Sequence, residues 1–127
     1  MMFYGFHHKI TKWVAVGYRH RASITRQSCV IFRKAVDAAV EEGINLILVD
    51  CSAMTSVLSR LERYNLGSLG AEYALQRTIA LKVAVVGTPP VIDGFGALVA
   101  SNRGVTTETF SDTSNAAEWL NCFARRG

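Results

Sequence analysis

The chain predicts an α/β fold: a single-layer, mixed but mostly parallel sheet that opens in a β-hairpin and is flanked by helices, in the order ββαβαβαβα. Three observations carry this expectation. Leu46, Ile47, Leu48 and Val49 set four large aliphatics side by side without polar alternation; a strand buried on both faces reads this way, as central strands of parallel sheets do. Apolar runs of that kind alternate along the chain with stretches of helical period, which implies right-handed crossovers and a sheet covered by helices. No repeat, low-complexity segment or linker interrupts the 127 residues, so residues 1–127 read as one domain.

Each element follows from local chemistry. Phe3 to Tyr18 has strand character, clearest at Trp13-Val14-Ala15-Val16, and two short strands joined near His7 to Thr11 make the opening hairpin. From Ser23 to Glu42 the period becomes helical. Phe32, Ala35, Val36, Ala39 and Val40 recur at i, i+3, i+4, i+7 and i+8, one apolar stripe. Gly43 stands where a left-handed C-terminal cap is needed, and the central strand Asn45 to Cys51 follows. Ser59-Arg60-Leu61-Glu62 is a capping box that starts the next helix, with Leu66, Leu69, Gly70 and Tyr73 on one face. Lys82 to Gly87 is a second apolar strand, halted at Thr88-Pro89-Pro90, and the proline pair suits the entrance of a helix. Phe95, Leu98 and Val99 mark that helix and Asn102-Arg103-Gly104 ends it. Val105 to Phe110 is a threonine-rich edge strand. Asp112 or Thr113 caps a last helix carrying Ala116, Trp119, Leu120 and Phe123 on one side.

Composition excludes several function classes. The formal charge of +4 arises from 14 Lys and Arg against 10 acids, but the basic residues are scattered, whereas nucleic-acid binders concentrate them on one stripe. No apolar segment approaches the roughly 18 residues of a membrane span. The start, Met1-Met2-Phe3-Tyr4-Gly5-Phe6, lacks the charged and apolar regions of a signal peptide. Cys29, Cys51 and Cys122 form neither a CxxC pair nor a metal-ligand cluster, and an odd count fits a reducing, cytoplasmic setting.

A parallel sheet gathers functional atoms at its carboxyl edge. Here that edge collects Asp50, Cys51 and Ser52, then Gly87 and Thr88, then Ser111 and Asp112. Asp50, Ser52, Thr88 and Asp112 are the candidate rim for a ligand or partner, although Asp and Ser after strands also form turns and caps. Asp50 lacks the acidic pair of a receiver domain, since the first strands end in Arg19 and Arg21. Cys51 as a nucleophile has no histidine beside it in the expected sheet, because His7, His8 and His20 all fall in the opening hairpin. No phosphate loop, catalytic acid and base pair, or cofactor motif is present, so a non-catalytic protein without cofactor is expected. Gly67 and Gly70 inside a helix indicate close packing or a ligand groove. Tyr64, Tyr73, Trp119 and Phe123 offer either core or the lining of an apolar pocket.

With these elements placed, the chain resembles the SpoIIAA-like branch of the STAS superfamily (sulphate-transporter and anti-sigma-factor-antagonist domains). The residues that carry the resemblance are Val49-Asp50-Cys51-Ser52, Arg63-Tyr64-Asn65-Leu66-Gly67, Val83-Ala84-Val85-Val86, Asn102-Arg103-Gly104 and Phe110-Ser111-Asp112 with Ala116 and Trp119-Leu120. The resemblance implies a mixed sheet opening in a hairpin. Antagonists of the superfamily carry an Asp-Ser-Ser-Gly-Leu segment whose first serine is phosphorylated. Here it falls on Leu58-Ser59-Arg60-Leu61-Glu62: Ser59 matches the phosphoacceptor, Leu58 replaces the Asp, and the Gly-Leu turn is missing. The resemblance thus implies a regulatory domain without an intact phosphoserine switch, and Ser59 has a structural task as N-cap.

Three hypotheses follow. The first is a regulatory or protein-interaction domain that pairs with itself, as a homodimer, or with another protein through a helical face or sheet edge. The second is a small carrier or sensor for an apolar or anionic metabolite held between helices and sheet. The third, an enzyme using Asp50 or Cys51, has the least basis.

Overall fold

The computed structural model describes residues 13–20, 25–54, 57–77 and 80–124. They form an α/β fold with strands β1 (Val14–His20), β2 (Leu46–Met54), β3 (Lys82–Val86) and β4 (Thr106–Phe110). Helices α1 (Thr25–Glu42), α2 (Arg60–Arg77), α3 (Phe95–Asn102) and α4 (Thr113–Ala124) alternate with them. The sheet order is β1-β2-β3-β4 and every pair is parallel. The expected hairpin's first strand and its turn near His7 to Thr11 lie outside the described residues, as does any antiparallel pairing they contribute. The described sheet is wholly parallel rather than mixed.

The Leu46 to Val49 run is buried throughout, and the alternation of a strand divides it between two cores. Ile47, Val49 and Cys51 join the core under α1, α2 and α3, while Leu46 and Leu48 join a smaller one under α4. Ala84, Val86, Ala116 and Leu120 complete that second core, flanked by Trp119, which packs edge-on to Phe123 at 5.0 Å. β4 pairs only with β3 among the described residues, the edge position expected of it.

Glycine caps end α1 and α3 as their sequences predict. Gly43 (φ 71°) donates to the Val40 carbonyl and Ile44 to that of Ala39, the paired bonds of a Schellman cap. Gly104 (φ 109°) donates to Ser101, and Val105 to Ala100, in the same pattern. Two expectations are corrected. Pro89 and Pro90 do not open a helix: they lie in a strap, residues 88–94, that turns through the Ile92 N–H to Thr88 carbonyl bond before α3 begins at Phe95. The inward face of α2 consists of Gly67, Gly70, Ala71 and Ala74, leaving Leu69 exposed. Val40 likewise lies at the exposed margin of the α1 stripe.

The reason for that small-residue face is the close approach of neighbouring helices. A Cβ on Gly67 would lie 2.4 Å from the Gly96 carbonyl oxygen and 3.1 Å from the Val99 Cβ. A Cβ on Gly70 would sit 3.3 Å from the ring of Phe32 on α1. Larger side chains would hold α2 away from both α3 and α1.

Candidate functional site

Small roof residues above a strand floor leave an apolar cavity of about 160 Å³ between α2, α3 and the sheet. Val49 and Cys51 of β2 and Val83 and Val85 of β3 form the floor. Leu66, Gly67, Gly70 and Ala71 of α2 and Gly96, Ala97 and Ala100 of α3 form the roof. Phe32 closes the α1 side, and Val105, Thr107 and Thr109 the β4 side. At the carboxyl edge the walls are Leu58, Arg63 and the strap residues Val91, Ile92 and Asp93. Gly87 lets the strap fold down, since a Cβ there would meet Ile92 Cγ1 at 2.4 Å.

Arg63 fastens this end. Its side chain, only 12% exposed, donates from Nε to the Leu58 carbonyl at 3.1 Å and from Nη2 to the Pro90 carbonyl at 2.6 Å, and it pairs through Nη1 with Asp93 Oδ2. One guanidinium thereby ties the approach to α2 to the strap before α3. Asp93 also accepts the Phe95 N–H at 3.0 Å. That backbone bond, with the Arg63 charge beside it, lowers the Asp93 pKa below the ordinary carboxylate value. A depressed carboxylate contributes stability at neutral pH that is lost as pH falls through its folded value. The side chain is exposed, so the contribution is small and screened by salt.

The sequence-predicted rim residues behave differently. Asp50 Oδ1 accepts the Ser52 N–H at 2.9 Å and the Ser52 hydroxyl at 2.6 Å, just where the β1–β2 register shifts between Gly17 and Arg19. Asp112 caps α4, accepting from the Asn115 N–H at 2.8 Å and its side-chain amide at 3.2 Å. Thr88 is exposed, and its carbonyl closes the strap turn. Each of these is engaged with its own neighbours, and none lines the cavity. Ser59 N–H donates to Glu62 Oε1 at 2.8 Å and the Glu62 N–H to Ser59 Oγ at 3.1 Å, the reciprocal bonds of a capping box. Asp112→Ala and Ser59→Ala are each expected to cost about 1 kcal/mol in urea denaturation.

Cys51 alone of the carboxyl-edge group lines the cavity. It is buried, and desolvation, then the negative charge of Asp50, pushes its thiol pKa from 9.0 up to about 12. A thiol held protonated is a poor nucleophile. In a Cys29→Ser background, maleimide at pH 8 should therefore label exposed Cys122 and leave Cys51 unmodified until denaturant is added, as read by peptide mass spectrometry. Because the folded pKa is the higher one, this thiol's contribution to stability is complete below about pH 9 and declines as pH rises toward 12.

The aromatic set read from the sequence does not meet at a pocket. Tyr73 donates to Asp37 Oδ1 at 2.7 Å, Tyr64 accepts from Arg103 Nη2 at 2.9 Å, and Trp119 and Phe123 belong to α4 and pack on the other face of the sheet. Arg63 and the strap are what sequence reasoning passed over as site residues. A signal existed: Arg63, Gly67, Gly70, Ala71 and Ala74 follow helical spacing, placing one charge in line with a stripe of small residues. Among the described residues no group of three or more His, Cys, Asp or Glu is placed to hold a metal ion, and no helix is long and apolar enough to cross a membrane. Searches against family models, curated proteins and solved structures find no match for the chain.

Proposed function

We propose that this chain is a non-catalytic carrier or sensor domain of SpoIIAA/STAS-like type that takes a small apolar molecule between its helices and sheet. The observation that carries this reading is the cavity of about 160 Å³ under α2 and α3. Protein interiors pack with few voids larger than a water molecule. Sealed and empty, a void of this size would cost up to about 4 kcal/mol at the 24 cal/mol per Å³ found for engineered cavities. That is a large share of a domain's usual net stability of about 5–15 kcal/mol. An occupant removes the penalty, and an engineered apolar cavity of about 150 Å³ accepts benzene. The cysteine pattern supports a cytoplasmic setting. The test is thermal unfolding with toluene: at ten times its Kd the protein should gain about 1.4 kcal/mol. No stabilisation at saturating toluene would refute the reading.

A second reading, the interaction domain that the sequence favours, has its own observation. Leu61, Leu98 and Val57 are 68%, 56% and 55% exposed. On α2, Leu61, Tyr64 and Leu75 fall within an arc of about 60°, at about 100° per residue, beside the buried glycine face. Exposed apolar side chains gathered on one face suit contact with a second copy of the chain. Light scattering that gives a monomer at millimolar concentration would remove this reading.

A further inference from the structure

The polar groups around the cavity restrict what the cavity can hold. Arg63 is the cation in its wall, and a cation beside an apolar pocket is the natural anchor for a carboxylate. Here three of the five guanidinium N–H groups are already engaged, one of them by a carboxylate. Nε faces the Leu58 carbonyl, Nη2 the Pro90 carbonyl and Nη1 the Asp93 carboxylate. An anionic ligand reaching Arg63 would lie beside the negative charge of Asp93, which already neutralises the guanidinium. Thr107 is spent in the same way, its hydroxyl donating to the Val105 carbonyl at 2.9 Å and its N–H to Ser101 Oγ at 3.1 Å. Thr109 is half-buried at the margin, where a Cβ on Gly94 would lie 3.8 Å from its hydroxyl. The rest of the lining is aliphatic or aromatic carbon, backbone packed close, and the Cys51 thiol.

We infer, resting on the cavity reading above, that the ligand is a compact uncharged hydrocarbon-like molecule, of the size of a single six-membered ring with a small alkyl substituent. Arg63 closes the cavity and does not bind the ligand's charge. A polar group carried inward leaves water and meets a lining in which Thr107 and the Arg63–Asp93 pair are already engaged with their own neighbours, so it weakens binding. Size follows from volume, since about 160 Å³ matches a cavity that accepts benzene and is too small to enclose a fused polycyclic molecule.

Toluene, phenol and benzoate share one ring and differ in polarity, so their ranking in the wild-type protein tests the inference. Amide chemical shifts should follow toluene at Gly67, Gly70 and Ala100, with phenol binding at least tenfold more weakly and benzoate more weakly still. Benzoate or phenol binding more tightly than toluene at the same amides would overturn the inference and leave the carrier reading standing. If none of the three moves these amides, the carrier reading falls and the inference with it.

Discussion

Gly67→Ala should destabilise the protein by about 2–3 kcal/mol, against the gain of up to about 1 kcal/mol that Gly to Ala gives in an unobstructed helix interior. The reversal comes from one contact. The added methyl would lie 2.4 Å from a backbone carbonyl oxygen at Gly96, a group that cannot swing aside as the tip of a side chain could. α2 and α3 must then separate along their seam, and the strap that Arg63 ties to α2 moves with them. For a domain of this size the loss corresponds to a fall in Tm of roughly 10 °C. Gly70→Ala makes a graded comparison. Its methyl would meet the Phe32 ring at 3.3 Å, and a ring can shift by the few tenths of an ångström required. Thermal unfolding of both variants checks the account, and a stabilised Gly67→Ala protein would contradict the helix seam.

Ala71→Leu is expected to stabilise the protein by about 1–2 kcal/mol while abolishing toluene binding. Ala71 is buried, on the roof of the cavity, and a longer side chain from it would enter the empty space. In a filled core the same substitution overpacks and costs about 1–3 kcal/mol, so the sign of the change separates a real cavity from a closed one. Denaturant unfolding gives the sign, and a toluene titration gives the loss of binding. The two variants act on opposite sides of the same helix packing: one forces the seam apart, the other occupies the space the seam encloses.

The parts of this structure legible in the sequence are those set by neighbours in the chain. The Leu46 to Val49 run announces a strand buried on both faces because its pattern is contained in four residues. Gly43, Gly104, Ser59 with Glu62, and Asp112 announce helix ends because each cap closes within a few positions. The strap departs from its local sequence pattern for a related reason. Pro89-Pro90 satisfies the rule for a helix entrance, but Asp93-Gly94 beyond it forms the actual approach to α3, with Asp93 accepting the Phe95 N–H and Gly94 at φ 89°.

The cavity was illegible because its walls come from separate elements. Gly67 and Gly70 signalled close packing correctly, yet their partners, Gly96 and Phe32, lie far away along the chain. Arg63 could be read as one more solvated helix charge until the strap was placed against it. The Asp50, Ser52, Thr88 and Asp112 rim was legible as polar residues following strands. What pattern could not tell was that Asp50 and Asp112 spend their carboxylates on adjacent amides while Cys51, between Asp50 and Ser52, faces the apolar space.

The most direct measurement is a crystal structure of the protein under xenon pressure. Xenon probes an accessible apolar cavity without requiring a polar partner. Density for xenon between the ring of Phe32, the strand floor at Val49 and Val85, and the helix backbones at Gly70 and Ala100 is the expected result. Helices α2 and α3 resting on the sheet with no space between them, and no xenon under that roof, would contradict the ligand-holding role.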